Sequence, residues 1–341
     1  MVFIFQITFA DVVSEEKVYG VPHAEILYTI SGGGALSEDV NLTLEGSGKR
    51  RFKGWGETEL YETHIVEHTV GTLNDIHCKD HCEKREKTEI LEVDFKNKKI
   101  MKHPLPKEKP HKYTTVGMRR IGQQMVANVV CDMWEGKGVK RCFYKGIPVF
   151  TEYNALGFFY REEATDVQLD INRSETSKCT LPPYPKQKFS LYTNSFKTKN
   201  SKKIPDAFSE RLLTVIAYLK KKKVEEDALL PNERKGLKEI MAEPVFRNQK
   251  YLLPKLLETM KKTRICLSQS RSTEEANHCL DEMITIKSCL TDSTHKRIAS
   301  WETSRDEVLE KFEHHITRLQ SKMMCIRSAK LFSDLSACMR P

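Results

Sequence analysis

Hydrophobic and polar positions along the chain follow two different periods. From Ala24 to about Phe189 they alternate: Ala24, Ile26, Tyr28 and Ile30 share one face, and Val40, Leu42 and Leu44 repeat the pattern beyond a Gly32-Gly33-Gly34 turn. Period two marks a half-buried strand, because successive side chains of an extended chain point to opposite sides. The pattern returns at Leu91, Val93 and Phe95 with a turn at Asn97, and further strands are expected at Gln124 to Asp132, Val139 to Tyr144, Ile147 to Tyr153 and Phe158 to Ile171. Hairpin connections between them predict an antiparallel meander, built as a sandwich, a barrel or one strongly curved sheet. Gly46-Ser47-Gly48-Lys49 lacks the spacing of a phosphate-binding loop and reads as a turn.

Beyond Pro182-Pro183 and the lysine-rich stretch NSFKTKNSKKIPD the period becomes 3.6. Leu212, Leu213, Ile216 and Leu219 fall on one helical face, and Leu252, Leu253, Leu256, Leu257 and Met260 on another. Val308, Phe312, Ile316, Leu319, Met323 and Ile326 form a stripe in a long helix between about Lys296 and Arg327, as core packing does. The fold class is therefore α+β: an N-terminal antiparallel β half followed by a C-terminal helical bundle. A chain of 341 residues exceeds what one core usually fills, and the change of period supplies boundaries. They are a leader at 1–20, a β domain at 21–190, a basic linker at 191–205 and a helical domain at 206–341.

Composition changes this picture little: 39% hydrophobic and 30% charged residues exclude a disordered chain. The net charge of +9 concentrates at Lys197, Lys199, Lys202 and Lys203 and in the run Lys220 to Lys223, while acidic and basic residues interleave elsewhere. That pattern reads as a solvated face with a basic linker, or as a footprint for an anionic membrane surface through Lys197–Lys203 and Lys220–Lys223. No RNP-like, zinc-finger or basic-zipper signature is present, so no specific nucleic acid is expected. Residues Val2 to Phe9 (VFIFQITF), followed by Ala10, resemble the apolar region and cleavage end of a secretory signal without its basic start; a buried first strand is the other reading. Asn41-Leu42-Thr43 and Asn172-Arg173-Ser174 fit the glycosylation sequon, which matters only in a eukaryotic secretory pathway.

Ten cysteines spread from Cys78 to Cys338 read, in an oxidising compartment, as a disulfide framework. Cys266 and Cys279 stand thirteen apart around Thr273-Glu274-Glu275; Cys325 and Cys338 stand thirteen apart around Ser333-Asp334. Thr or Ser followed by acids is an N-cap signal, so each pair straddles a helical corner at matched distances. Pairing of Cys266 with Cys279 and of Cys325 with Cys338 follows, each loop contributing about 3 kcal/mol in the chain-entropy model. Cys131 and Cys142 flank the hairpin sequence WEGKGVKR and are expected to bridge adjacent strands. Cys78 and Cys82 are placed at a hairpin tip, paired across it or reduced; Cys179 and Cys289 have no assigned partner.

The densest set of metal-ligating side chains is HIVEHTVGTLNDIHCKDHC, with His64, His68, His77, Cys78, His81 and Cys82. Imidazole and thiolate suit zinc, and His64, Glu67 and His68 spell the H-x-x-E-H of inverted metalloproteases. That motif requires a helix, whereas Ile65, Val66, Thr69 and Val70 favour a strand. A polar strand is the leading reading and a metal-binding or metal-dependent hydrolase site the alternative.

The run from Val126 to Asp170 resembles a bacterial envelope domain family through Cys131 with Trp134, Tyr144 to Pro148 with Glu152, and Gly157 with Glu163 to Val167. LEVDFKNKKIMKHPL resembles a further strand and turn of that family, so the likeness spans residues 24 to 185. It implies a curved sheet, or half-barrel, akin to the LolA and LppX lipoprotein-carrier fold, exported to a periplasm, with no catalytic residues and no cofactor. Cys142 and the His-Cys cluster depart from the family pattern, and the helical half lies outside it. What the resemblance implies is an exported, non-enzymatic protein holding a lipid, acyl chain or hydrophobic envelope partner in its concavity, lined by Val129, Val149, Tyr153, Phe158 and Tyr160. A disulfide-stapled protein–protein interaction module, with the helical bundle as recognition surface, is the other reading.

Overall fold

In a computed structural model of the chain, the residues described are 17–105, 115–169, 181–188, 204–288 and 297–340. Strands β1 (His23–Ser37), β2 (Val40–Lys53), β3 (Thr58–Gly71) and β4 (Asp75–Arg85) are long. Shorter ones follow: β5 (Glu89–Asp94), β6 (Lys99–Pro104), β7 (Arg119–Val126), β8 (Val129–Gly136), β9 (Val139–Tyr144), β10 (Ile147–Ala155), β11 (Phe158–Gln168) and β12 (Lys186–Lys188). They make one curved, unclosed sheet in the order β12-β6-β5-β4-β3-β2-β1-β11-β10-β9-β8-β7. Two meanders, β1 to β6 and β7 to β11, join where β1 pairs with β11; every pair is antiparallel except β12 with β6. Curvature brings β7 back against β11, where Val126 and Ala164 share a core.

Two glycine-rich segments expected to be turns lie inside strands. Gly33 and Gly34, in β1, have φ of +152° and +157°, and an added Cβ would stand 2.4 Å from Leu42 O and from Phe158 Cδ1 respectively. Gly46, in β2, would place one 2.3 Å from His64 O. These strands bend so tightly that the neighbouring backbone occupies the side-chain position, which only glycine permits. The expected strand from Gln124 to Asp132 is instead broken by a two-residue hairpin at Ala127 and Asn128, both left-handed (φ 46° and 65°).

Six helices follow among the described residues: α1 (Phe208–Lys222), α2 (Pro231–Gln269), α3 (Thr273–Cys279), α4 (Asp281–Lys287), α5 (Trp301–Ser328) and α6 (Phe332–Met339). The α+β class and the stapled helices stand as expected. The largest apolar core crosses from sheet to helices, joining Ile30, Leu42 and Leu44 to Phe208, Leu212, Val215 and Ile216. A second core on the sheet holds Ala24, Ile26, Tyr28 and Phe52, with Tyr19 and Val149. Leu60, Leu91, Val93 and Ile100 form a third core on the opposite face, packed against Leu181 and Tyr184.

All three spaced disulfides form: Cys131–Cys142, Cys266–Cys279 and Cys325–Cys338, with Cα separations of 5.4, 5.8 and 5.7 Å. Both helical corners are capped, slightly earlier than the spacing suggests. Ser272 accepts the Glu275 amide at 3.2 Å, and the Asp334 carboxylate accepts the Lys330 and Leu331 amides at 3.1 Å. Thr273 instead accepts the Trp301 amide at 3.0 Å and ties α3 to the start of α5. Cys78 and Cys82 are both unpaired. The hairpin tip lies earlier, at 72–74, so both sit four residues apart on β4. An extended chain separates them by about 13 Å, beyond disulfide reach. Cys179, Cys289, Asn172, Lys197–Lys203 and the apolar run Val2–Phe9 lie outside the described residues.

Candidate functional site

The residues expected to line a concavity do not form one open wall. Tyr153, Phe158 and Tyr160 are buried in the core shared with α1, and the Phe158 and Phe208 rings meet edge-on with centroids 6.3 Å apart. Val149 is fully buried in the second core, and Val129 packs half-buried beside it. Helix α1 supplies the cover because Phe208, Leu212, Val215, Ile216 and Leu219 recur at helical spacing on its sheet-facing side.

Pairing register divides the His-Cys segment between two faces. His64 and His68 of β3 lie with Cys78 and Cys82 of β4 on the outer face, while Glu67, His77 and His81 point to the inner one. The strand thus separates Glu67 from the two histidines with which it would make the H-x-x-E-H constellation. Among the described residues no group of three or more His, Cys, Asp or Glu side chains is arranged to hold a metal ion. His64 Nδ1 stands 2.6 Å from Asp80, directly opposite it. Burial, with Glu62 and Glu83 nearby, pushes the Cys82 thiol up to about 12, which makes it a poor nucleophile.

On the inner face the β2–β4 strands carry ionisable groups that pair with each other. Arg50 Nη1 donates to Glu59 at 2.7 Å, and Glu59 also accepts the Tyr19 hydroxyl at 2.8 Å. The Arg50 guanidinium lies 4.7 Å from the Tyr61 ring centroid, and the Tyr61 hydroxyl crosses the curved sheet to Glu162 of β11 at 2.6 Å. Burial and the adjacent Glu162 carboxylate raise the Tyr61 phenol well above its usual range. Nearer the helices, Glu67 accepts from Lys79 at 2.7 Å and from the fully buried Arg211 of α1 at 3.2 Å. Both cations also donate to the Asp206 carbonyl. Asn248 of α2 donates to buried Asp75 at 2.6 Å, and Gln249 to the Asn74 carbonyl at 2.6 Å. The contacts of Arg211, Asn248 and Gln249 fasten α1 and α2 to the sheet.

The helical half presents a groove between α2 and α5, of about 690 Å³, lined along α2 from Tyr251 to Lys262 and on α5 by Met323 and Arg327. Sequence reading took the Leu257 and Met323 stripes as core; it missed that the charged positions beside them face each other across a cleft. No described helix is long and apolar enough to cross a membrane.

No protein-family model matches the chain, and no curated protein matches it. Among solved structures, an uncharacterized conserved protein from Thermus thermophilus aligns at 7% identity over 48% of this chain and 90% of its own, with a TM-score of 0.28. A likeness of that strength carries no functional argument and lends the lipoprotein-carrier resemblance no support.

Proposed function

We propose that the protein is an exported, non-enzymatic binding protein that recognises another protein through its disulfide-stapled helices. One observation carries this reading: the apolar inner face of the sheet, the natural seat for a lipid, is packed against the chain's own α1. A ligand in that seat would have to displace Phe208, Leu212 and Ile216, exposing roughly 2 kcal/mol of buried apolar surface per side chain. Three disulfides support an oxidising compartment, since such bonds persist mainly outside the cytosol. Native mass spectrometry of the protein, purified from an oxidising compartment without detergent, tests the reading. The mass of the bare oxidised polypeptide is expected; a stoichiometric adduct of lipid mass would restore the concavity as the binding site and remove this proposal.

A further inference from the structure

We infer that the groove between α2 and α5 is the recognition surface and that its occupant is an acidic segment of a protein partner; this rests on the interaction reading above. Its floor is apolar, with Leu257 and Met323 buried beneath it, and the Tyr251 ring stands 66% exposed at one end. Around the rim are four exposed cations, Lys255, Lys261, Lys262 and Arg327, against two carboxylates. Glu258, one of the two, lies 3.1 Å from Lys262, and the other, Glu282, is opposite Thr259. An acidic segment therefore meets an excess of positive charge, which favours its encounter and orients it.

One helical disulfide stands near the end of this groove: Cys266 follows Lys262 by one turn of α2 and is tied to Cys279, next to the α4 that carries Glu282. Cys325, two residues from both Met323 and Arg327, lies on the opposite side of α5, where it is tied to Cys338 of α6. The Cys266–Cys279 bond holds the α3–α4 corner against α2, so that end of the groove loses little freedom on binding and a modest set of contacts is enough for measurable affinity. From Tyr251 to Lys262 the groove runs about 16 Å along α2, the length of about five extended residues or three helical turns. The denser run Lys220 to Lys223 lacks these properties: it ends α1 in solvent, and Lys222 already pairs with Glu233. Two features, a charged rim and an apolar floor, thus specify acidic residues flanking a leucine-sized or aromatic anchor.

The test is fluorescence anisotropy with the full-length oxidised protein and a fluorescein-labelled decapeptide of Glu-Glu-Leu repeats. Combined Lys255→Glu, Lys262→Glu and Arg327→Glu should weaken binding at least tenfold, and reduction of the disulfides should weaken it as well. A charge-matched control, Lys220→Glu, Lys221→Glu and Lys223→Glu, should change it less than twofold. Should the first variant fold poorly, Lys255→Gln and Arg327→Gln singly should each cost about threefold. Equal weakening by both triple variants, or equal binding of a Gln-Gln-Leu peptide, would overturn the inference. Displacement of the peptide by vesicles of phosphatidylglycerol and phosphatidylcholine would assign the groove to a membrane and overturn it too. Failure of the peptide to bind a protein whose native mass is bare would remove this groove while leaving the interaction reading intact.

Discussion

The helices meet the sheet through two unlike contacts. Over β9 to β11, Phe208, Leu212, Val215 and Ile216 rest on Val139, Tyr153, Phe158 and Tyr160. Over β3 and β4, the same helix lays Arg211 on Glu67, beside Lys79, while α2 sets Asn248 on Asp75. Burial of the first kind is non-directional and contributes most of the adhesion. The second kind gives back in attraction much of what desolvation costs, so its net contribution is small, but removing any one partner strands a charge in the interior. We read the apolar contact as the source of stability and the ionic one as the feature that sets where α1 sits along the sheet.

Phe158→Ala strikes the apolar contact and should have the largest effect, about 4 kcal/mol of unfolding free energy in urea, from lost burial plus the cavity left behind. A loss below about 1 kcal/mol would mean that the helices dock mainly through charge. Glu67→Gln removes the carboxylate to which both Lys79 and Arg211 donate and should cost about 3 kcal/mol; if it were neutral, water must already reach that junction. Asp75 supplies a pH handle. Burial raises its carboxyl to about 6 despite the Asn248 and Gln249 hydrogen bonds, so the folded state favours the protonated form. Stability is then greatest below the unfolded value near 4 and falls as pH rises through 6, by about 2 to 3 kcal/mol. Asp75→Asn cannot titrate, so its melting temperature should gain on the native protein's between pH 4 and pH 7; a difference independent of pH would remove the account. The smallest effect belongs to the outer face of β4, which takes part in neither contact. Cys78, exposed there, should react with iodoacetamide in the native protein, whereas Cys82 should react only after unfolding. Cys78→Ser should leave stability within about 0.5 kcal/mol. Peptide mapping of the labelled, unreduced protein reads both thiols and the three disulfides together.

Much of this architecture was legible in short stretches of chain. Alternation at Ala24 to Ile30 and the helical stripe at Ile316 to Ile326 each report one element's own geometry. The thirteen-residue cysteine spacings report a capped corner, a local object. The segment from Thr63 to His68 was legible as a strand, yet both of its faces are polar, Thr63 and Glu67 on one side and His64 and His68 on the other. Alternation there shows that two faces exist without showing which is buried, and the metal-site reading grew from that ambiguity. Gly33, Gly34 and Gly46 misled for a related reason: a glycine that ends a strand and one that lets a strand bend under its neighbour look the same until the neighbour is in place.

Periods and spacings were enough to establish an antiparallel β half, a stapled helical region and three of the cysteine pairings, because each depends on residues close together in the chain. Packing in three dimensions was needed to learn that α1 fills the sheet's apolar face, that Glu67 faces Arg211 144 positions away, and that Lys255 and Arg327 share a groove. Those outcomes rest on which faces meet across long loops, and an apolar stripe records that it will be covered without recording by what.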